Sequence, residues 1–273
     1  MIQLTSENYF SQQANLDYMS CSQFKSFCDC EERTLADIAG DYKRDSSTAL
    51  LVGSYVDAHF EGTLDVFKAQ HPELFKRDGT LKADYVQAES IVQRVENDKL
   101  FMKYMAGEKQ VIMTGKIADV PYKIKIDSYH PDKAIVDLKV VKDFEKLWND
   151  TEKQRQSFIR YWGYDIQGAI YQEIVRQNTG KKLPFFIAAA TKEKHTDFNV
   201  FAVPQEWLDE KLAFVEERTP HFAKLKTVEE RTPHFARLKT VEDPAERCER
   251  CDWCKDTKIL DRIVDARDLE DGI

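Results

Sequence analysis

An α/β fold, a mixed β-sheet flanked by α-helices, is what this sequence predicts. Helical periodicity dominates the chain up to residue 106. Strand-like runs then cluster at 109–141 and recur at 184–203, and a long helical stretch separates the two groups. With 273 residues, 42% of them hydrophobic, the chain can bury the core of one large domain.

The elements follow in order. Residues 16–44 read as helical, with Ser20 or Ser22 as N-cap and Phe24 and Phe27 on one side. A second helix covers 48–61 (TALLVGSYVDAHFE), with Val52, Val56 and His59 near one stripe, and a third helical stretch covers 80–106. Strands follow at 109–119, 122–129 and 134–141. The next helix, 151–178, stops at Thr179-Gly180, and its Tyr161, Trp162 and Tyr164 read as core aromatics. Strands at 184–191 and 197–203 precede a helix from Gln205.

Composition narrows the function. A mean hydropathy of −0.56 without a long apolar run argues against a membrane span. The opening MIQLTSENYFSQQ has no basic stretch followed by an apolar one, so a cytoplasmic protein is expected. The net charge of −8 advertises no nucleic acid, although a local basic groove or a bound cation can override it.

VEERTPHFAKLKT (215–227) is repeated at once as VEERTPHFARLKT (228–240). Two copies are too few for a solenoid. The expectation is a duplicated surface helical segment, with Thr-Pro as N-cap and first helical residue.

The informative strand is AIVDLKVV (134–141), which is apolar on both faces except for Asp137 and Lys139. Paired with 122–129 as a hairpin at an index sum of 264, it sets Ile126 opposite Leu138 and Ile124 opposite Val140. The same register sets Asp127 opposite Asp137 and Lys125 opposite Lys139. Facing carboxylates repel unless a cation lies between them, and hard oxygen ligands suit Mg²⁺ or Mn²⁺. Lys139 would then orient or deprotonate a water, or neutralise a phosphate oxygen. The alternative is a solvated face on which the lysines serve as ion-pair partners.

Asp127 followed by Asp137-Leu138-Lys139 resembles the PD-(D/E)xK nuclease superfamily, and the order of elements fits. That resemblance implies a restriction-endonuclease-like core, one domain over 1–273. Its parts would be N-terminal helices at 16–106, a catalytic hairpin and helix at 109–180, and a cysteine segment at 244–258. GSYVDAHFE ahead of the strands is similar to the RecB and RecE branches, which implies that His59 joins Asp127, Asp137 and the Leu138 carbonyl at the metal. A lone histidine on an apolar helix face is otherwise a core group. Gln167 and Tyr171, four apart on one helix face, resemble the Q-x-x-x-Y pattern of those branches, which contacts DNA or supports the lysine. The alternative makes Tyr171 a packing aromatic and leaves Gln167 exposed.

Six cysteines fall into two groups, 21, 28 and 30 and then 248, 251 and 254. A C-x-x-C-x-x-C run with a remote fourth ligand matches an iron–sulfur cluster better than structural zinc, although zinc and free thiols stay open. Ser20-Cys21-Ser22 through Phe27 and Cys30 resembles the opening of iron–sulfur nucleases of the AddB and CRISPR-adaptation branches. This implies a [4Fe–4S] cluster on Cys30, Cys248, Cys251 and Cys254. Glu31 stands where that opening has proline, and Cys28 competes with Cys30. Together the resemblances imply a Mg²⁺- or Mn²⁺-dependent DNA exonuclease of phage or prophage recombination, partnered by a single-strand annealing protein. A structure-specific endonuclease and a non-catalytic DNA-binding protein on the same scaffold are the alternatives.

Overall fold

Strands form where β-branched and aromatic residues concentrate. The computed structural model describes residues 1–43, 47–229 and 245–259. Its strands are β1 (Met19–Ser20), β2 (Val111–Ile117), β3 (Val120–Ile126), β4 (Ser128–His130), β5 (Ala134–Val141), β6 (Leu147–Asn149), β7 (Gln154–Gln156), β8 (Phe185–Thr191) and β9 (Phe198–Ala202). The central sheet runs β4-β5-β8-β9, and only the β5–β8 pair is parallel. A second sheet, β1-β3-β2, pairs β1 parallel and β2 antiparallel to β3.

The expected hairpin is formed only in part. Ser128, Tyr129 and His130 face Val136, Ile135 and Ala134, which is the predicted register. Upstream of Asp127, however, the chain leaves β5. Ile126 pairs with Val111 and Ile124 with Met113 in β2, not with Leu138 and Val140. The run therefore divides at Asp127 between two partners. A strand has two edges to satisfy, and hairpin reasoning accounts for only one.

Helices cover both faces of the central sheet. α1 (Gln12–Asp17), α2 (Cys21–Asp29), α3 (Glu31–Ala39), α4 (Thr48–Glu61), α5 (Leu64–Gln70), α6 (Ala83–Glu96) and α7 (Lys99–Met105) precede β2. α8 (Phe158–Tyr161) and α9 (Tyr164–Thr179) lie between β7 and β8, and α10 (Gln205–Glu229) and α11 (Asp252–Asp256) come last. Alternation along β5 sends Ile135 and Val141 into one core with Ile170, Ile174 and Val175 of α9. It sends Val136 and Leu138 into another with Tyr55 and Val56 of α4 and Ile91 and Val92 of α6. Burial on both faces makes the charges of β5 costly unless they are paired.

The long helix expected over 151–178 starts later. Residues 154–156 form β7, and Gly163, in the left-handed region at φ 61°, separates α8 from α9. Tyr161 and Trp162 at this break are exposed, 37% and 52%, rather than in the core. The stop at Gly180 is as expected, with φ 74°. Gly168 lets α9 approach β8 closely, because a Cβ there would stand 2.5 Å from Phe185 Cδ1.

The first repeat copy also differs from expectation. Pro220 lies inside α10 rather than at its start. Val215, Thr219, Phe222 and Leu225 of this copy are buried. Phe222 stacks on Phe27 at 5.0 Å between ring centroids, and Tyr122 Oη and Thr219 Oγ1 share a hydrogen bond of 2.7 Å. Core packing holds the helix despite a proline that removes one of its hydrogen bonds. The side chains of the second copy, 228–240, lie outside the described residues. Among the described residues no helix is long and apolar enough to cross a membrane.

Candidate active site

The split at Asp127 builds the site. Strand alternation points Lys123, Lys125 and Asp127 of β3 and its end to one side, while Tyr122, Ile124 and Ile126 enter the core. Asp127 Oδ2 accepts the Leu138 backbone N–H at 2.9 Å, tying the two sheets together. Its carboxylate also comes within hydrogen-bonding reach of Asp137. Burial raises the Asp127 pKa to about 7, and the neighbouring Asp137 charge adds to the rise.

Asp137 is 2% exposed. It is held by Gln167 Nε2, which donates to Oδ1 at 2.6 Å, and by an ion pair between Oδ2 and Lys139 Nζ. Burial opposes the Lys139 ammonium, but Asp137 and Asp127 outweigh that cost and leave its pKa raised. Lys139 Nζ also donates to the Leu138 carbonyl at 3.3 Å and lies 5.2 Å from the Tyr164 ring centroid. Tyr171 Oη donates to the Lys125 carbonyl at 3.0 Å, so α9 fixes both Asp137 and β3.

Asp127, Asp137, Leu138, Lys139, Gln167 and Tyr171 thus line one cavity of about 640 Å³. His59 does not. Its Nε2 sits 2.7 Å from Glu96 Oε1, on another side of α4. Ser54, Asp57, Ala58 and Glu61 of α4 line the cavity instead, and the two carboxylates among them, Asp57 and Glu61, are one turn apart. Two residues along a helix is about 200° of rotation, so Asp57 and His59 cannot share a face. Burial first, and then Asp127, push the Asp57 pKa well up. The signal for Asp57 was a carboxylate inside the otherwise apolar stretch LLVGSYVDAHF, which the nearby histidine drew attention away from.

A divalent cation fits this chemistry. Two touching carboxylates backed by a third, in a partly dry cavity, are stabilised by positive charge beyond the single Lys139 ammonium. The acidic centre is a pair rather than a closed cage. Among the described residues, the cysteines are the only three or more His, Cys, Asp or Glu ligands gathered within 4.8 Å.

Those cysteines are Cys30, Cys248, Cys251 and Cys254. Cys30 ends α2 and begins α3, and Cys254 lies in α11, so the site joins the two ends of the chain. Cys28 is exposed and Cys21 lines the cavity, which leaves Cys30 as the N-terminal member. Glu31, in the proline position, is buried; its Oε2 accepts the Glu246 backbone N–H at 2.8 Å and its Oε1 lies 2.9 Å from His221 Nε2. Sulfur separations of 3.6 Å (Cys30–Cys254), 3.8 Å (Cys30–Cys251) and 4.0 Å (Cys248–Cys254) can be set against the two candidate metals. A tetrahedral ion with M–S of about 2.3 Å needs edges of about 3.8 Å. A [4Fe–4S] cluster binds each thiolate at a different corner iron and needs a wider set. All four sulfurs lie within 4.8 Å of one another, so the thiols converge on one four-cysteine site.

Comparison with known proteins agrees with this architecture. Residues 20–257 match the family described as "PDDEXK-like domain of unknown function (DUF3799)". No curated protein matches the sequence. A crystal structure called "Putative exonuclease" from Eubacterium rectale is 47% identical, with a TM-score of 0.91 and 100% of both chains covered. The structure of SSO0001, 10% identical over 72% of this chain and 84% of its own, has a TM-score of 0.26, too low to carry an argument. The match over residues 20–257 spans the strand split, both carboxylate-bearing strands and the cysteine run, and the chain belongs to the PDDEXK-like DUF3799 family.

Proposed function

We propose that this chain is a divalent-cation-dependent nuclease that hydrolyses DNA phosphodiester bonds from strand ends. The observation that carries the reading is the Asp127–Asp137 carboxylate pair with Lys139 ion-paired beside it, at the floor of an open cavity. Family membership and the similarity to the E. rectale protein support it.

Asp127, Asp137 and the Leu138 carbonyl would hold Mg²⁺ or Mn²⁺, with Asp57 adding negative charge from α4. When bound, the ion supplies charge stabilisation at the phosphate and an acidified water. Lys139, kept protonated by its two carboxylate neighbours, acts as a hydrogen-bond donor that orients the water or a phosphate oxygen. It starts as a poor base. Gln167 holds Asp137 in its rotamer, and Tyr171 anchors the strand that carries Asp127.

For the cysteines, the tight sulfur spacing favours one structural zinc ion over the iron–sulfur cluster. Action in phage or prophage recombination, beside an annealing protein, rests on the sequence resemblance alone. Digestion of end-labelled linear duplex against covalently closed circular DNA, with and without Mg²⁺, tests the reading. Cation-dependent loss of the linear form only supports an exonuclease, cutting of the circle supports an endonuclease, and stability of both, and of a single-stranded oligonucleotide beside them, refutes a nuclease.

A further inference from the structure

The cavity that ends at Asp127 and Asp137 begins at a different kind of surface. Its lining includes Tyr9 and Phe10 of the N-terminal segment, with Lys123 and Lys125 of β3. Phe10 is 71% exposed, unusual for a large apolar side chain. Its position is nonetheless fixed. Lys123, 1% exposed, donates through Nζ to the Tyr9 carbonyl and to Asn15 Oδ1, clamping the segment to β3. The buried Tyr9 ring meets Phe10 edge-on, at 5.0 Å and 85°. Lys125 Nζ stands 4.8 Å from the Phe10 ring centroid.

A buried lysine, a tyrosine carbonyl and an aromatic edge therefore hold one phenyl ring in solvent beside an ammonium. Lys125 is two residues before Asp127 on the same strand face, about 7 Å along β3. That distance is on the scale of one nucleotide step. We propose that Phe10 and Lys125 form a subsite for an unpaired nucleotide, the base stacking on the Phe10 ring and its phosphate meeting the Lys125 ammonium. The proposal deepens the nuclease reading and rests on it. Paired and stacked bases hide their faces, so the site selects single-stranded ends over blunt duplex. An apolar peptide would have no use for the Lys125 ammonium, and backbone phosphates alone would have none for the ring.

The test uses the full chain without added divalent cation, so that binding is read without cleavage. The probes are a single-stranded oligonucleotide with a terminal 2-aminopurine and a blunt duplex carrying the same base. Phe10→Ala should weaken single-strand binding about tenfold, the order expected for one base stack, and abolish the bound-state change in 2-aminopurine fluorescence. Phe10→Trp should retain both, Lys125→Ala should weaken binding of the single strand, and blunt-duplex affinity should change less than twofold in the Phe10 variants. Equal single-strand binding by wild type and Phe10→Ala overturns the subsite and leaves the nuclease reading standing. So does equal loss on both probes. Failure of the wild type to bind the single strand overturns the subsite, and the nuclease reading is judged separately by the cation-dependent digestion. Phe10 supports no core, so matching melting temperatures are expected for its variants.

Discussion

Asp127 Oδ2 accepts the Leu138 backbone N–H at 2.9 Å, at the point where the strand leaves one sheet for the other. The carboxylate that would bind a cation is therefore also the link between sheets. Gln110 Nε2 reaches its Oδ1 at 3.4 Å on one side, and Asp137 lies on the other.

Burial and Asp137 lift Asp127 to about 7, above its ordinary carboxylate value. Between about pH 4 and pH 7 the folded chain keeps a proton there that the unfolded chain has released, so metal-free stability falls as pH rises through this window. A cation needs the ionised pair. Added Mg²⁺ should raise the melting temperature more at pH 8 than at pH 6, measured by thermal denaturation at both.

Asp57 and His59 give opposite expectations. Asp57→Asn removes a carboxylate from the cavity and should weaken Mg²⁺ dependence of cleavage several-fold, read as the cation concentration for half-maximal rate. His59→Ala removes only a half-exposed contact with Glu96, worth ~0–1 kcal/mol, and should leave that concentration unchanged.

The cysteine site should yield one zinc per chain by elemental analysis of anaerobically purified protein, with no iron and no visible charge-transfer absorbance. Cys30→Ser should lose the metal and lower the melting temperature, because Cys30 joins α2 to α3 and α11. Iron with broad visible absorbance would restore the cluster expectation.

Gln167→Ala should cost more in turnover than in substrate affinity, by roughly ten- to a hundredfold, since it frees Asp137 without removing a charge. Steady-state kinetics on labelled duplex separates the two.

Much of this was legible in the chain. The doubly buried strand, its Asp137 and Lys139, and the Gln167 and Tyr171 face follow from periods of 2 and 3.6, and the structure brings these residues together. The β3 partner was not legible, because pairing with β2 depends on a second strand edge that local pattern does not reveal. His59 was singled out over Asp57 by the resemblance to the RecB and RecE branches, whereas the phase of α4 turns Asp57, not His59, toward the cavity. Pro220 within α10 reads as a helix start until the packing of Phe222 on Phe27 is seen.

The most direct measurement is digestion of end-labelled linear duplex DNA with Mg²⁺ by wild type, Asp137→Asn and Lys139→Ala, with folding checked by circular dichroism. The account predicts Mg²⁺-dependent product release by the wild type and a loss of at least about a hundredfold in each variant. Wild-type rates in either folded variant would contradict it.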